Sequence, residues 1–176
     1  MVSNAQIIKK NYFPRIILPV SNIMVTLFDF LMAAMIFIFL LVYYYFMGMQ
    51  VSILAIAGYF IAGFVLTVIT TTGMSLIISA FNAKYRDFRY MIPFLIQLLF
   101  FLSPVIYPMS VFENSPISYL LAINPMSSAL DLVRTPFTGL APDLVHLMIS
   151  TGAAVVLLVT GLQVFQKMEA YFADII

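Results

Sequence analysis

The sequence has no cysteine and no tryptophan, a single histidine, and only 8 basic and 7 acidic residues among 176. Without cysteine there is no disulfide, no thiolate metal site and no thiol nucleophile. A net charge of +1 supplies no basic patch, which removes nucleic acid as a partner. No GxxxxGK[ST] run is present, so the chain cannot hold ATP in a P-loop. His146 has only Asp143 nearby, which is not a metal-ligand set. Its expected place is at the interface, at the outer end of the last apolar run. The serines and threonines have no evident base, which leaves a hydrolase or acyltransferase unsupported. Charge is the most telling shortage. Charged residues make up 9% and apolar residues 64% of the chain, against about 25% and 45–50% in a soluble domain. That is too little polar surface to coat a water-soluble globule. The chain is an integral membrane protein.

Four runs approach or exceed the roughly 20 apolar residues that a crossing requires: 16–46, 52–80, 90–107 and 144–165. Helices are expected, because lipid-exposed backbone must bond internally and the runs are too long for barrel strands. The expected fold is therefore an all-α integral membrane domain over residues 1–176 with four transmembrane helices. The first two runs exceed the minimum and are expected to tilt or to end in the interface. The first is too long for a signal-peptide core, and no small-residue cleavage site follows it.

Cations fix the expected orientation. Lys9, Lys10 and Arg15 precede the first run, Lys84, Arg86 and Arg89 separate the second from the third, and Lys167 follows the fourth. If the four runs alternate, all of these share one side, and only Arg134 lies opposite. The positive-inside rule then places both termini and the 81–90 loop in the cytoplasm. Residues 47–51 and 109–142 face outward, with Tyr43, Tyr44, Tyr45 and Tyr107 as interfacial anchors near the outer ends.

The outer segment 109–137 is apolar, yet it holds Asn124, Pro125, Asp131 and Arg134. A fifth crossing there would send Lys167 to the wrong side. Two readings remain. One is a re-entrant hairpin of two short helices broken at Asn124-Pro125, tolerated at depth only if buried in protein or lining a wet cavity. The other is an amphipathic helix lying flat on the outer surface. Within the runs, Asp29 sits about 20 Å of helix from Ile16. A carboxylate at that depth is a functional candidate, unless it is protonated or bonded to a neighbouring helix. Gly63, Thr67, Thr71, Ser75 and Ser79 recur every four residues, which suits a packing seam better than a pore lining. Arg86 and Asp87 are adjacent and so face different ways on a helix. They serve either as a headgroup anchor and a helix cap or as coupling residues.

Phe13-Pro14-Arg15, Asn82-x-Lys84-Tyr85-Arg86-Asp87, Ser103-Pro104-Val105-Ile106-Tyr107-Pro108, Asn124-Pro125 and Glu169-x-x-Phe172-Ala173-Asp174 follow one another along the chain. In this order the sequence resembles the permease subunits of ABC-2 type exporters, particularly those moving O-antigen polysaccharide, teichoic acid and related glycans. The resemblance covers essentially the whole chain. It implies a six-span permease that forms a homodimer in the bacterial cytoplasmic (inner) membrane and pairs with a separate ABC ATPase subunit. No cofactor is implied in this chain; ATP and Mg would be used by the ATPase. It also implies coupling to the ATPase through Phe13, Pro14 and Arg15 and through the loop at Lys84, Tyr85, Arg86 and Asp87. Pro14 and Pro19 would shape the path into the membrane by removing backbone donors. The hairpin, with Pro104, Tyr107, Pro108, Asn124, Pro125 and Arg134, would cover the outer mouth of a glycan path. Glu169, Phe172 and Asp174 belong to the shared C-terminal tail. The four runs match the family's last four spans, so the N-terminal interface helix and first two spans are expected to be missing. Other readings are an exporter of drugs or lipids from the same superfamily, a truncated membrane scaffold without transport, and, last, a membrane-embedded transferase.

Overall fold

The computed structural model describes residues 17–48, 52–85, 87–112 and 115–173, the last five by backbone alone. Among the described residues every regular element is helical: α1 (Ile17–Phe46), α2 (Ile53–Lys84), α3 (Phe88–Leu102), α4 (Ile117–Ala122), α5 (Pro125–Thr138) and α6 (Leu144–Ala173), with a 3₁₀ turn at Met109–Phe112. Three of these, over Pro19–Phe46, Ile53–Lys84 and Leu144–Met168, are long and apolar enough to cross a membrane. At 1.5 Å per residue, the 32 residues of α2 reach about 48 Å, well beyond a hydrocarbon core of about 30 Å.

The third expected span differs. The run at 90–107 becomes a helix over Phe88–Leu102, only 15 residues, or about 22 Å. Ser103 stops it in an extended conformation (φ −84°, ψ 135°). The cause is local, because the ring of Pro104 disfavours helical geometry in the residue before it. The segment Ser103–Pro108 then runs as turns.

The core is the seam between α2 and α6, which run parallel from the same end of the bundle. Buried positions on α2 are Gly63, Leu66, Thr70, Gly73, Leu76 and Ala80. Their steps of three and four keep one face toward a neighbouring helix. Leu66 meets Ala154, and Leu76 and Ala80 meet Phe165. Midway the two backbones touch. A Cβ built at Gly73 would lie 2.7 Å from backbone atoms of Leu157 and Leu158, and one at Gly161 would lie 2.5 Å from the Gly73 carbonyl oxygen. Only glycine permits that approach.

The expected seam at Gly63, Thr67, Thr71, Ser75 and Ser79 is corrected accordingly, since only Gly63 of the set is buried. A spacing of four overshoots the 3.6-residue turn by about 40° per step, so the stripe spirals off the contact face. Two of its hydroxyls turn back on their own helix, Thr67 donating to the Gly63 carbonyl and Thr71 to the Thr67 carbonyl, both at 2.8 Å. This satisfies the hydroxyl without a partner helix. Helix α1 lies on α2 through rings, with Phe30 stacked on Phe64 at 5.3 Å and Phe37 on Phe60 at 6.0 Å. Most of its remaining surface is exposed.

Candidate functional site

The polar chemistry of the described chain collects where α4 and α5 meet the starting ends of α2 and α6. The break between α4 and α5 is built by sequence. Asn124 is the N-cap, accepting from the Met126 N–H at 3.1 Å, and Pro125 occupies the first turn, where no donor is missed. Gly139 ends α5 at φ 69°, the left-handed conformation that glycine tolerates. Asp143 Oδ1 accepts from the Val145 N–H at 2.8 Å and starts α6.

Helix α5 then inserts between α2 and α6. Ala129 packs with Leu66 and Ala154, and a Cβ at Gly63 would stand 2.9 Å from the Ala129 carbonyl oxygen. Leu66 lies 13 residues into α2, about 20 Å along its axis. The inserted face is hydroxylated. Ser128 donates to Ser150 Oγ at 2.7 Å, and Ser150 donates to the Ala122 carbonyl at 2.7 Å. Ser127 donates to the Leu121 carbonyl at 2.8 Å. These serines are buried, Ser127 and Ser150 completely. A buried hydroxyl is tolerated because each proton has an acceptor.

Two residues expected in the hairpin tie it to the end of α3. Arg134 Nη1 donates to the Pro104 carbonyl at 2.7 Å and reaches the Tyr107 carbonyl at 3.4 Å, while Nη2 donates to the Val105 carbonyl at 2.7 Å. The guanidinium thus satisfies three carbonyls that the helix stop leaves without helical partners. Asn124 Nδ2 donates to Ser103 Oγ at 2.8 Å. Pro104 and Pro125 are buried, Tyr107 is half-buried with its hydroxyl donating to the Phe101 carbonyl at 3.2 Å, and Pro108 is exposed. Of the six expected hairpin residues, Arg134 is thus joined to Pro104 and Tyr107, and Asn124 to the neighbouring Ser103.

Beside Arg134 lies a small cleft of about 80 Å³, bordered by Asp131, Thr138, Asp143 and His146 together with apolar residues such as Met109, Leu140 and Pro142. His146 lies in the first turn of α6, the end of the last apolar run where it is expected. It is buried, with Nδ1 3.3 Å from Asp143 Oδ2, its ring edge-on to Tyr119 at 5.3 Å, and Nε2 without a hydrogen-bond partner. Packing of α4 across the start of α6 encloses it. Among the described residues no group of three His, Cys, Asp or Glu is placed to hold a metal ion. A second cavity, of about 430 Å³, lies between α1 and α2 and is lined by apolar side chains including Phe37, Leu41, Ile53, Ile56 and Phe60.

At the opposite end, Lys84 closes α2 with its ammonium 5.1 Å from the Tyr85 ring, and the Tyr85 N–H donates to the Phe81 carbonyl at 2.8 Å. Asp87 occupies the N-cap position of α3, but its side chain makes no capping bond, because its own backbone is helical (φ −76°, ψ −19°). That corrects the cap reading. Asp29 lies on α1 and is exposed. Phe13, Pro14, Arg15, Arg86 and Asp174 lie outside the described residues, and Glu169 and Phe172 are placed by backbone alone. Sequence reasoning missed Ser128, Ser150, Gly73 and Gly161. The available signal was small or hydroxyl residues set singly within strongly apolar helices.

Three long apolar helices, a glycine-tight seam and the α4–α5 pair packed at one end define an all-helical integral membrane protein. Comparison with known proteins makes this specific. The family model for the ABC-2 type transporter matches residues 6–138, and the chain belongs to that family. It is 32% identical over 176 residues to each of two O-antigen export system permease proteins RfbA of Klebsiella pneumoniae, covering 99% of this chain and 66% of the relative. It is 33% identical over 106 residues to the O-antigen export system permease protein RfbA of Myxococcus xanthus, covering 59% of this chain and 41% of the relative. No solved structure matches the chain.

Proposed function

We propose that this chain is the membrane permease of an exporter that moves polysaccharide or lipid-linked glycan across the bacterial cytoplasmic membrane. The similarity to O-antigen export permeases, carried along essentially the whole chain, is the observation behind this reading. The driving force is ATP hydrolysis in a separate subunit, and the chain works as a homodimer. Its own part is conformational, with no covalent step.

The hairpin end faces outward, a reading supported by the cation distribution. Helices α4 and α5 enter the outer leaflet as a re-entrant pair, supported by the depth at which Ala129 meets Leu66. With α3 as the short fourth crossing, both ends of the chain lie in the cytoplasm. Lys84, Tyr85, Arg86 and Asp87, with Phe13, Pro14 and Arg15, meet the ATPase there, and Asp29 contacts another span or a wet path.

Two measurements test the proposal. Deleting the gene removes surface polysaccharide and leaves the glycan inside the cell, and restoring it reverses the defect. An ATPase subunit co-purifies with the protein in mild detergent. Unchanged surface polysaccharide after deletion overturns the glycan reading. A lipid exporter of the same family is the second reading, favoured by the apolar cavity between α1 and α2; lipid retained inside the cell with normal surface polysaccharide would support it.

A further inference from the structure

Helices α1 and α2 touch through a stack of rings and leave a gap beyond it. Phe30 stacks on Phe60 at 6.3 Å and on Phe64 at 5.3 Å, and Phe37 stacks on Phe60 at 6.0 Å. Between that stack and the connection from α1 to α2 lies the apolar cavity of about 430 Å³. Its walls are Ile38, Leu41 and Val42 of α1 and Ile53, Ile56 and Ala57 of α2. Tyr45 alone brings a polar side-chain atom to the lining.

The dimensions of this slot select what can fill it. It runs from Phe37 to Phe46 on α1 and from Ile61 back to Ile53 on α2. At 1.5 Å per residue that is about 13 Å, close to one leaflet of a hydrocarbon core about 30 Å thick. Spread over that length, 430 Å³ makes a slot about 6 Å across. A helix, at about 10–12 Å, is too wide for it. A hydrocarbon chain, about 4 Å thick by the contact distance between carbons, fits. Both walls belong to helices long and apolar enough to cross a membrane, so the medium around the slot is lipid. Water is a poor occupant, since a buried water needs about two to four polar partners. Left vacant, the slot would forfeit the dispersion contacts of its lining. Tyr43, Tyr44 and Tyr45 are exposed at the end nearest the connection, and tyrosine rings sit at the level of the headgroups.

We propose that the slot holds one acyl chain of a bilayer phospholipid as a resident. The headgroup lies among the three tyrosines, and the chain reaches down to the stack of Phe37 on Phe60. The lipid fills the space that α1 and α2 leave between them beyond their rings. Ala57 sets the width, because a larger side chain at that point of the wall narrows the slot. This site rests on membrane residence alone and is independent of what the protein carries.

The chain contains no tryptophan, so a single introduced indole reports without background. Ile38→Trp places it on the slot wall. Phe39→Trp places it one residue along α1, at nearly the same depth and outside the slot; both positions are exposed. Each variant of the full chain is reconstituted in phosphatidylcholine brominated at mid-chain, which quenches an indole in contact with it. The protein is then dispersed in an excess of bromine-free detergent. In the bilayer both indoles are expected to be quenched. In detergent Phe39→Trp recovers its full intensity, whereas Ile38→Trp stays quenched, and adding Ala57→Phe restores its recovery. Phosphorus analysis of the otherwise unaltered protein, washed repeatedly in the same detergent, finds one lipid per chain, and Ala57→Phe loses it. Equal recovery of the two indoles overturns the proposal, because the lipid then merely exchanges at the surface. An Ile38→Trp that is not quenched even in the bilayer also overturns it, since a protein segment or a second copy then covers the slot. Should the tryptophan variants fail to insert, the phosphorus analysis decides alone: no lipid retained by the unaltered chain, or retention unchanged by Ala57→Phe, overturns the site.

Discussion

Replacing Gly73 with alanine tests the seam most directly. The added Cβ would stand 2.7 Å from the Leu157 carbonyl carbon and the Leu158 nitrogen, where ordinary contact begins at 3.4 Å. The shortfall of about 0.7 Å cannot be absorbed by a rotamer change, because the obstructing atoms are backbone. The helices must separate locally, which loosens Leu66 against Ala154 and Leu76 against Phe165. Overpacking of this kind costs about 1–3 kcal/mol. A control is built into the same helix, since a Cβ at Gly58 meets nothing within 4 Å. Gly58→Ala is expected to be neutral or to stabilise by about 0.4–1 kcal/mol, because alanine loses less backbone entropy than glycine on folding. Unfolding in mixed micelles by rising SDS fraction, followed by loss of helical signal, compares the two directly. The double variant Gly73→Ala with Gly161→Ala should cost less than the two single costs added, because separating the helices for one methyl makes room for the other. Equal midpoints for Gly73→Ala and Gly58→Ala would refute a backbone-contact seam.

Two further substitutions probe the hairpin. Ser150→Ala removes both the acceptor for Ser128 and the donor to the Ala122 carbonyl; it is expected to cost about 0.6–1.7 kcal/mol in the same unfolding measurement. His146→Asn can keep the donor toward Asp143 while deleting the buried Nε2 that has no partner. It should leave stability unchanged or raise it, since an unsatisfied buried acceptor costs about 1–3 kcal/mol. A clear loss of stability would mean that the imidazole ring packs, through its edge-on contact with Tyr119, more tightly than its polar cost.

Much of the architecture was legible residue by residue. Runs at 16–46, 52–80 and 144–165 became α1, α2 and α6, because an apolar run of that length has one hydrogen-bonded form in a bilayer. The break at Asn124-Pro125 was equally plain, since a capping amide followed by proline at the first helical position is a local instruction. The third run was misjudged by its composition. Val105 and Ile106 of "SPVIYP" extend the apolar run, but Pro104 pushes Ser103 out of helical geometry and ends the helix there. The seam was misplaced for a different reason: a four-residue spacing looks periodic, but burial follows the helix's own turn.

The sequence alone determined membrane residence, helical class, the break within the hairpin and the distribution of cations. All of these follow from local composition and local backbone chemistry. Tertiary structure decided which small residues matter. Gly73 and Gly161 are separated by the end of α2, the whole of α3, the hairpin and half of α6, and nothing local says that their backbones touch. It likewise decided that Arg134, the lone cation of residues 109–142, grips carbonyls 27 to 30 residues earlier in the chain. Such pairings depend on how helices are laid against one another, and that arrangement is set by the fit of their whole surfaces.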